Sequence, residues 1–464
     1  MALTTLFIDL NSYFASVEQQ VEPQLRHKPV AVAPVTSDAG CCIAASYEAK
    51  KFGVKTGTRV GEAKRLCPSI TILDARPRLY VLMHQRILAA VDTKIPVHKV
   101  HSIDEVSCRL DRLQRDPDRA KALSLEIKQA IYHRCGAWMR CSIGIAPNRP
   151  LAKLATDMQK PDGLVILRDQ DLEPDGGVIA TLSAQELAGI GPKMMKRLEH
   201  AGIKTIGDLR RQSEKQMRHL WGGMVGERWY HWLRGAEVHE PTTHKGSIGH
   251  SHVLAPQRRD PAQAKSVAFR LLLKAAARLR HDNYAARKLT LSIRLVGENS
   301  VSAWGGGRWD ATAALGDGCI DSGTMLDALG ELWKQADQHM RETPPVQVGV
   351  TLHDLVSSQS QTLPLFQDEA KQGRISQAMD KINAKYGANT LYTANIHDAR
   401  TSASGGIAFN FVPDLSIADS VQARQGTDSG RNERQQPEKR LTDAEANALI
   451  EASLAYDREH APRA

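Results

Sequence analysis

Three acidic side chains stand where phosphoryl chemistry is possible. Asp9 closes a short apolar run, Leu6-Phe7-Ile8, and Asp104 and Glu105 form an adjacent pair within Ser102-Ile103-Asp104-Glu105. A carboxylate at the end of a buried strand needs a partner, because an unpaired buried charge is costly. Neighbouring carboxylates at a bend can converge on one point. Three hard oxygen donors suit magnesium, which favours carboxylates, waters and substrate phosphates. Two such ions, about 3.5–4 Å apart, stabilise the attacking and leaving oxygens of an in-line phosphoryl displacement. Taken singly, each group has a plainer explanation. An Asp after a strand is ordinarily a cap or turn residue, and an Asp-Glu pair is ordinarily solvated.

The elements that must position these acids are legible from periodicity. The run ending in Asp9 reads as a buried strand, and a helix follows with Phe14, Val17 and Val21 on one face until Pro23 stops it. Short strands (Pro29 to Ala33, Cys42 to Ala45) and a basic helix ending near Cys67-Pro68 occupy the next stretch. An amphipathic helix runs from about Arg78 to Ile95, and Val97 to Leu110 reads as a strand pair enclosing the acidic pair. A helix from Pro117 to Cys135, a strand from Met139 to Ile145 and a helix from Leu151 to Met158 follow. Strands and helices interleave without strict alternation, so the expected class is α+β, with helices packed on a mixed sheet. From Ser183 the texture changes to short helices broken by Gly189, Gly191, Gly202 and Gly207.

Beyond a His-, Pro-, Thr- and Gly-rich linker the pattern changes again. Ser247 to Leu254 is a strand, Pro261 to His281 a helix and Lys288 to Val296 a strand. In that strand Leu289, Leu291, Ile293 and Leu295 share one face, and Lys288, Thr290, Ser292 and Arg294 the other. A helix from Ser322 to Met340 and an alternating strand from Val346 to Leu352 complete a split βαβ order. A short helix is expected at Arg374 to Tyr386. The polar stretch from about Asp414 to Lys439 cannot bury enough surface to order itself. A last helix, Thr442 to Tyr456, is expected to sit alone.

Composition narrows the class. With 464 residues the chain needs several domains. No apolar run is long enough for a bilayer, and the N-terminus lacks the features of a secretory signal, which points to a cytoplasmic protein. Seven cysteines without a repeated C-x-x-C pattern fit free thiols in a reducing compartment rather than a disulfide framework or zinc site. The net charge of +9 is uneven: Ile190 to Ser300 holds 21 Lys and Arg against 9 Asp and Glu. A basic block of that size fits a polyanionic partner such as nucleic acid, or a solvated basic surface.

Four segments in order carry a family resemblance. Ile8-Asp9-Leu10-Asn11-Ser12-Tyr13-Phe14-Ala15-Ser16-Val17-Glu18 resembles the first catalytic motif of Y-family DNA polymerases, and Ser102-Ile103-Asp104-Glu105 resembles their third. Ala45-Ser46-Tyr47-Glu48-Ala49-Lys50-Lys51-Phe52-Gly53-Val54 resembles the fingers motif between them. Cys141 to Asn148, continuing through Lys153 to Lys160-Pro161-Asp162-Gly163, resembles the segment that closes the palm. Each motif is weak alone; four in order are specific. Asn11 stands nearer to the catalytic subunit of bacterial polymerase V than to polymerase IV, where Asp is usual.

The resemblance implies a translesion enzyme that adds dNTPs to a primer 3′-hydroxyl. Asp9, Asp104 and Glu105, with the Leu10 carbonyl, would hold two Mg2+ ions. Phe14 would be a steric gate against the 2′-hydroxyl, the group that distinguishes RNA from DNA. Tyr13, Tyr47, Lys50 and Lys160 would contact the nucleotide, with cations neutralising charge on the triphosphate. Lys50 departs from the usual Arg, and supplies a point charge without a bidentate fork. Val106-Ser107-Cys108 departs from the usual Ala and Tyr after the acidic pair. Ala188-Gly189-Ile190-Gly191-Pro192-Lys193 resembles the start of the thumb helix-hairpin-helix, whose backbone N–H groups meet a DNA phosphate. Lys193, Lys196 and Arg197 add charge there, and Arg294 lies on the polar strand face of the little finger. Gln361-Thr362-Leu363-Pro364-Leu365-Phe366 resembles a bacterial sliding-clamp peptide, with Gln361, Leu363, Leu365 and Phe366 as its contacts.

The implied fold is a right-hand-like polymerase. Its palm would span 1–25 and 71–168, its fingers 26–70, its thumb 169–236, a linker 237–246 and a little finger 247–356. Residues 357–464 would be a clamp-binding segment and a largely flexible tail. The implied partners are primer-template DNA, dNTP and the sliding clamp, with no membrane, and the chain would be a monomer. Two other readings compete: a catalytically dead clamp-bound scaffold, and a DNA-binding repair accessory. The retention of all three acids argues against both.

Overall fold

The computed structural model describes residues 2–34, 36, 38, 40–238, 244–296, 307–340, 343–358, 367–386, 390–399 and 441–460. The chain divides into two units, the first formed by residues 1–241 with the C-terminal helix, the second by the chain from Thr242 to Ile407.

In the first unit, β1 (Thr5–Leu10) is buried along its whole length. Helix α1 (Tyr13–Val21) follows directly. Strands β2 (Val30–Ala33), β3 (Ala44–Ala45) and β4 (Thr71–Asp74) make a small sheet of order β3-β2-β4, beside helices α2 (Tyr47–Lys50) and α3 (Val60–Leu66). Helix α4 (Pro77–Asp92) then leads to β5 (Val97–Val100), β6 (Glu105–Arg109), α5 (Pro117–Cys135), β7 (Cys141–Ala146), α6 (Arg149–Met158) and β8 (Leu164–Ile166). The larger sheet has the order β5-β6-β1-β7-β8, which puts β1 at its centre. Both neighbours of β1 run antiparallel to it.

Local chemistry explains the helix starts. Asp116 caps α5 by accepting from the N–H groups of Asp118 and Arg119, and Asn148 caps α6 by accepting from Leu151. The amide of Asn148 also donates to the carbonyls of Trp232 and Ala236. It thereby ties α6 to a bundle of short helices, α7 (Pro192–His200), α8 (Ile206–Arg211), α9 (Glu214–Trp221) and α10 (Met224–Leu233). One apolar cluster joins sheet and bundle, running from Phe7, Leu151 and Leu154 to Leu198, Met217 and Trp229.

Gly144 in β7 is where α6 closes on the sheet. A Cβ there would lie 2.1 Å from the Ala152 carbonyl oxygen and 2.4 Å from the Thr156 nitrogen. Both obstacles are backbone, so α6 would have to move bodily. Gly144→Ala is therefore expected to cost about 1–3 kcal/mol, the usual range for overpacking, read as a lowered urea midpoint with unchanged slope. A midpoint equal to wild type would show that α6 has room to retreat.

The second unit contains β9 (Ser247–Val253), α11 (Pro261–His281), β10 (Tyr284–Leu295), β11 (Arg308–Cys319), α12 (Ser322–Met340), β12 (Pro345–Ser357) and α13 (Gln367–Tyr386). Its sheet has the order β11-β10-β12-β9, all pairs antiparallel. Leu289, Leu291, Ile293, Val348, Val350 and Leu352 are buried with residues of α11 and α12. The opposite strand face is polar.

Two sequence expectations need correction, and one strand has no expected bounds. In β11, Trp309, Ala311, Ala313 and Leu315 alternate with polar or exposed residues and pack against the core, but two of the four are alanines, so the signal is weak and pairing with β10 defines the strand. The helix expected from Arg374 begins at Gln367. The last helix, Asp443–His460, does not sit alone: it packs in the first unit against α4, α1 and α5. Part of the tail expected to be flexible is thus a docked element. The stretch from 414 to 439 and the hexapeptide 361–366 lie outside the described residues.

Candidate active site

Sheet register sets the three acids on neighbouring strand ends. Asp9 in β1 is the direct partner of Glu105 in β6, and the Leu10 N–H donates to the Asp104 carbonyl at 2.8 Å. The β5–β6 bend is held from behind by His84 on α4, whose Nδ1 lies 2.8 Å from the Ile103 carbonyl. A carbonyl only accepts, so Nδ1 carries the proton, and burial holds this ring below its ordinary pKa, hence neutral. Ser102 Oγ donates to Asp104 Oδ1 at 2.5 Å.

The electrostatics of the cluster are those of a cation site. Burial first, then the charges of Asp9 and Glu105, push the Asp104 carboxyl up to about 6, although the Ser102 hydroxyl lowers it. Cations already lie against these acids. Lys153 Nζ is 2.5 Å from Asp9 Oδ2 and 3.0 Å from Glu105 Oε1, and Lys160 Nζ is 2.7 Å from Asp9 Oδ2. Asp157 accepts from both ammonium groups, at 3.3 and 2.7 Å. Burial pushes Lys153 down, but Asp9, Glu105 and Asp157 outweigh it and hold the ammonium well above its ordinary range. Asp9, Asp104 and Glu105 offer carboxylate oxygens, the donor type that suits a hard divalent ion, and their present partners are the ammonium groups of Lys153 and Lys160 and the Ser102 hydroxyl.

The segment around α2 supplies more polar groups to the same place. Lys50 Nζ donates to Ser12 Oγ at 2.7 Å and lies 4.3 Å from the centre of the Tyr47 ring. Burial and the Lys160 ammonium lower the Lys50 pKa, with Asp9 opposing them. Burial, then the Asp9 charge, raise the Tyr47 phenol to about 12, while Ser12 and Asn11 lower it. Tyr47, Lys50, Lys160 and Asp9 therefore share one electrostatic neighbourhood. Phe14 on α1 is buried, 4.6 Å from the ring of Tyr80 on α4. Tyr13 is turned inward: its hydroxyl donates to the Tyr80 carbonyl at 2.6 Å, so that group is engaged within the core. Beneath them Glu18, 1% exposed, pairs with Arg76 and accepts from the Tyr80 hydroxyl at 2.6 Å.

Asn11 has a local explanation. Its amide nitrogen donates to Ser142 Oγ at 3.0 Å, and its oxygen accepts from the Asp162 N–H at 2.8 Å. An aspartate lacks the donor for the first bond. His84, Ser102, Lys153 and Asp157 were not singled out from sequence. Two of them carried a signal: Ser102 opens the motif that holds the acidic pair, and Lys153 is a cation within the palm-closing motif.

The expected DNA contacts belong to other elements. Gly189 has φ +114°, a conformation that favours glycine, and Gly191 precedes α7 at its N-terminus. Lys193 and Lys196 are exposed on α7, whereas Arg197 donates to the Leu220 carbonyl at 3.1 Å and so also braces the bundle. Arg294, on the polar face of the second unit, lines a trough with Ser251, Ser292, Arg308, Gln347 and Thr351.

Residues 8–157 match the model of the impB/mucB/samB family, and residues 245–365 match its C-terminal domain. Residues 185–237 match a thumb domain described for DNA polymerase iota. The chain is 31% identical over 415 residues to DNA polymerase IV of Bacillus velezensis, covering 87% of this chain and 95% of that protein. The chain belongs to the Y family of DNA polymerases. A second relative, DNA polymerase IV of Moorella thermoacetica, is 31% identical over 403 residues, covering 84% of this chain and 95% of the relative. A solved Y-family polymerase chimera, Dbh-Dpo4(243-245)-Dbh, matches 76% of this chain and all of its own, with TM-score 0.61 and 24% identity, a likeness of fold. The type is that of polymerase IV, so the lean that Asn11 gives toward polymerase V does not decide it. This Y-family member is a translesion DNA-directed DNA polymerase that binds DNA and nucleotide and depends on divalent metal.

Proposed function

We propose that the chain extends a primer with dNTPs at the Asp9-Asp104-Glu105 cluster, using two Mg2+ ions. The observation that carries this is the pairing of Asp9 with Glu105 beside the Leu10–Asp104 hydrogen bond, with the Lys153 ammonium between two of the acids. Asp9, Asp104 and the Leu10 carbonyl would hold both ions, and Glu105 the one nearer the primer terminus. Bound Mg2+ lowers the pKa of the primer hydroxyl and offsets charge on the leaving pyrophosphate. The new bond joins the primer 3′-oxygen to the α-phosphorus of the dNTP, and the bond to the β-phosphate bridge breaks.

The chain's own groups then have distinct tasks. Lys50 and Lys160 offer ammonium donors to the triphosphate, and Tyr47 a hydroxyl. Lys50 gives up the fork an Arg would supply, and its bond to Ser12 Oγ aims it toward the start of α1. Phe14, packed at a tilt against Tyr80, offers a flat wall to the sugar. Tyr13 acts through packing, since its hydroxyl is engaged. The Gly189–Gly191 turn before α7, with Lys193 and Lys196, offers sequence-independent phosphate contacts. Arg294 extends such contacts on the polar sheet face.

The domain plan assigned in the sequence analysis, palm 1–25 and 71–168, fingers 26–70, thumb 169–236 and little finger 247–356, is part of this reading. So are the sliding clamp as partner through Gln361, Leu363, Leu365 and Phe366, a monomeric state, a role in the mutagenic damage response, and the cytoplasm. Seven free thiols support a reducing compartment, and no helix among the described residues is long and apolar enough to cross a membrane.

The test is primer extension on undamaged and abasic templates while Mg2+ is titrated from an EDTA-treated start. Extension on both templates that rises with Mg2+ is expected. Extension that persists under EDTA would remove the metal assignment, and DNA binding without extension at any metal concentration would make the chain a scaffold.

A further inference from the structure

The helix Asp443–His460 takes no part in the chemistry above, yet its seat is built in detail. Ala446, Ile450 and Ser453 are buried and, with Asp457, form one stripe along the helix. They lie against α1, α4 and α5. Gln20 of α1 is fully buried, and its amide donates to Asp457 Oδ2 at 2.8 Å and Ser453 Oγ at 3.2 Å. Asp457 also accepts from the Ala137 N–H at 3.1 Å and pairs with Arg26 at 2.7 Å. The Arg26 guanidinium lies 5.2 Å from the Trp138 ring centre and 5.4 Å from that of Tyr456. Along α4, Arg78 pairs with Asp443, and Arg86 pairs with Glu451 at 2.8 Å and donates to Asn447 at 3.0 Å.

The charges are complementary. The helix carries Asp443, Glu445, Glu451, Asp457 and Glu459 against a single Arg458, and its partners across the groove are Arg26, Arg78 and Arg86. The apolar seal is slight, since Ile450 is the one large apolar side chain in the buried stripe. The groove also keeps partners of its own. The Gln20 amide oxygen accepts from the Trp138 N–H at 2.9 Å, and Arg26 donates to the Gln19 and Gln20 carbonyls, each at 3.1 Å. Loss of the helix leaves the Gln20 oxygen and Arg26 paired within the groove, while the Gln20 amide nitrogen, the Ala137 N–H, and the Arg78 and Arg86 groups that met the helix turn to water or to an incoming helix.

We propose that the groove between α1, α4 and α5 is a docking site for an acidic amphipathic helix, and that its resident occupant is the chain's own C-terminal helix, held in cis as an exchangeable ligand. Docking within one chain needs little intrinsic affinity, because the tether supplies a high effective concentration. The groove belongs to the two helices that carry Phe14 and Tyr80, so its occupant bears on the elements beside the active site.

The experiment uses a fluorescent peptide of residues 441–464 and a chain ending at residue 440, with anisotropy as readout. Saturable binding is expected, weakened at least about tenfold between about 50 and 500 mM salt and about tenfold by Asp457→Ala in the peptide. The full chain should not bind the peptide. A folded shortened chain, by its circular dichroism melt, that ignores the peptide overturns the proposal. Equal binding by the full chain, or a full chain that elutes as a dimer with exchanged helices, also overturns it. Should the shortened chain not fold, a full chain cleaved at an inserted protease site between 410 and 430 replaces it. Salt-driven release of the fragment then supports the proposal, and retention at every salt concentration overturns it.

Discussion

Asp104→Ala lowers kcat for primer extension on the order of 10³-fold or more, equivalent to about 4 kcal/mol of transition-state stabilisation, while primer-template affinity stays within about twofold. The two effects separate because Asp104 sits at the acid cluster and not on the basic surfaces that would hold DNA. A second signature comes from stability. The folded-state carboxyl is raised to about 6, chiefly by burial and then by Asp9 and Glu105. A carboxyl whose pKa is raised on folding binds more protons folded than unfolded, so ionised Asp104 opposes folding increasingly as pH rises from about 4 through about 6. Removing it is expected to leave the metal-free thermal midpoint at pH 7.5 unchanged or higher. A low midpoint would mean that lost activity reports lost structure. Extension within tenfold of wild type would mean that Asp104 holds no ion.

Phe14→Val opens the sugar pocket, and discrimination of dNTP over rNTP falls on the order of 10²-fold, about 3 kcal/mol. Phe14 is 3% exposed and packed at a tilt against Tyr80, so the substitution also costs about 1–3 kcal/mol of stability from the cavity it leaves. The decisive quantity is the ratio of kcat/KM for dNTP and rNTP, which is insensitive to the fraction folded. If Phe14 serves packing alone, both values fall together and the ratio holds. Tyr80 is the control for that outcome, because its hydroxyl is committed to Glu18 and its ring backs Phe14 without standing at the α1 N-terminus.

Both predictions rest on a geometry that is only partly local. The strand ending in Asp9, the helix bearing Phe14, the strand pair around Asp104 and the long helices at 117–135, 261–281 and 322–340 follow from apolar periodicity and caps, which are properties of neighbouring residues. The strand Arg308–Cys319 carries a weaker form of that signal, with Trp309 and Leu315 its only large apolar groups on the alternating face, and pairing with β10 sets its bounds. The C-terminal helix likewise looked solitary. Its apolar stripe is short, and its arginine partners on α1's flank and α4 are far away in the chain.

The acids, their order and the chemistry open to them were determined by the sequence itself: residue type decides that carboxylates take hard cations and that lysines take phosphates. Which of these groups meet was decided only by the tertiary structure. The antiparallel register sets Asp9 opposite Glu105, the absence of a side chain at Gly144 lets α6 carry Lys153 and Asp157 onto the cluster, and buried His84 holds the bend that bears Asp104. Register and close approach are relations between segments distant along the chain, fixed by packing, and no window of neighbouring residues contains them.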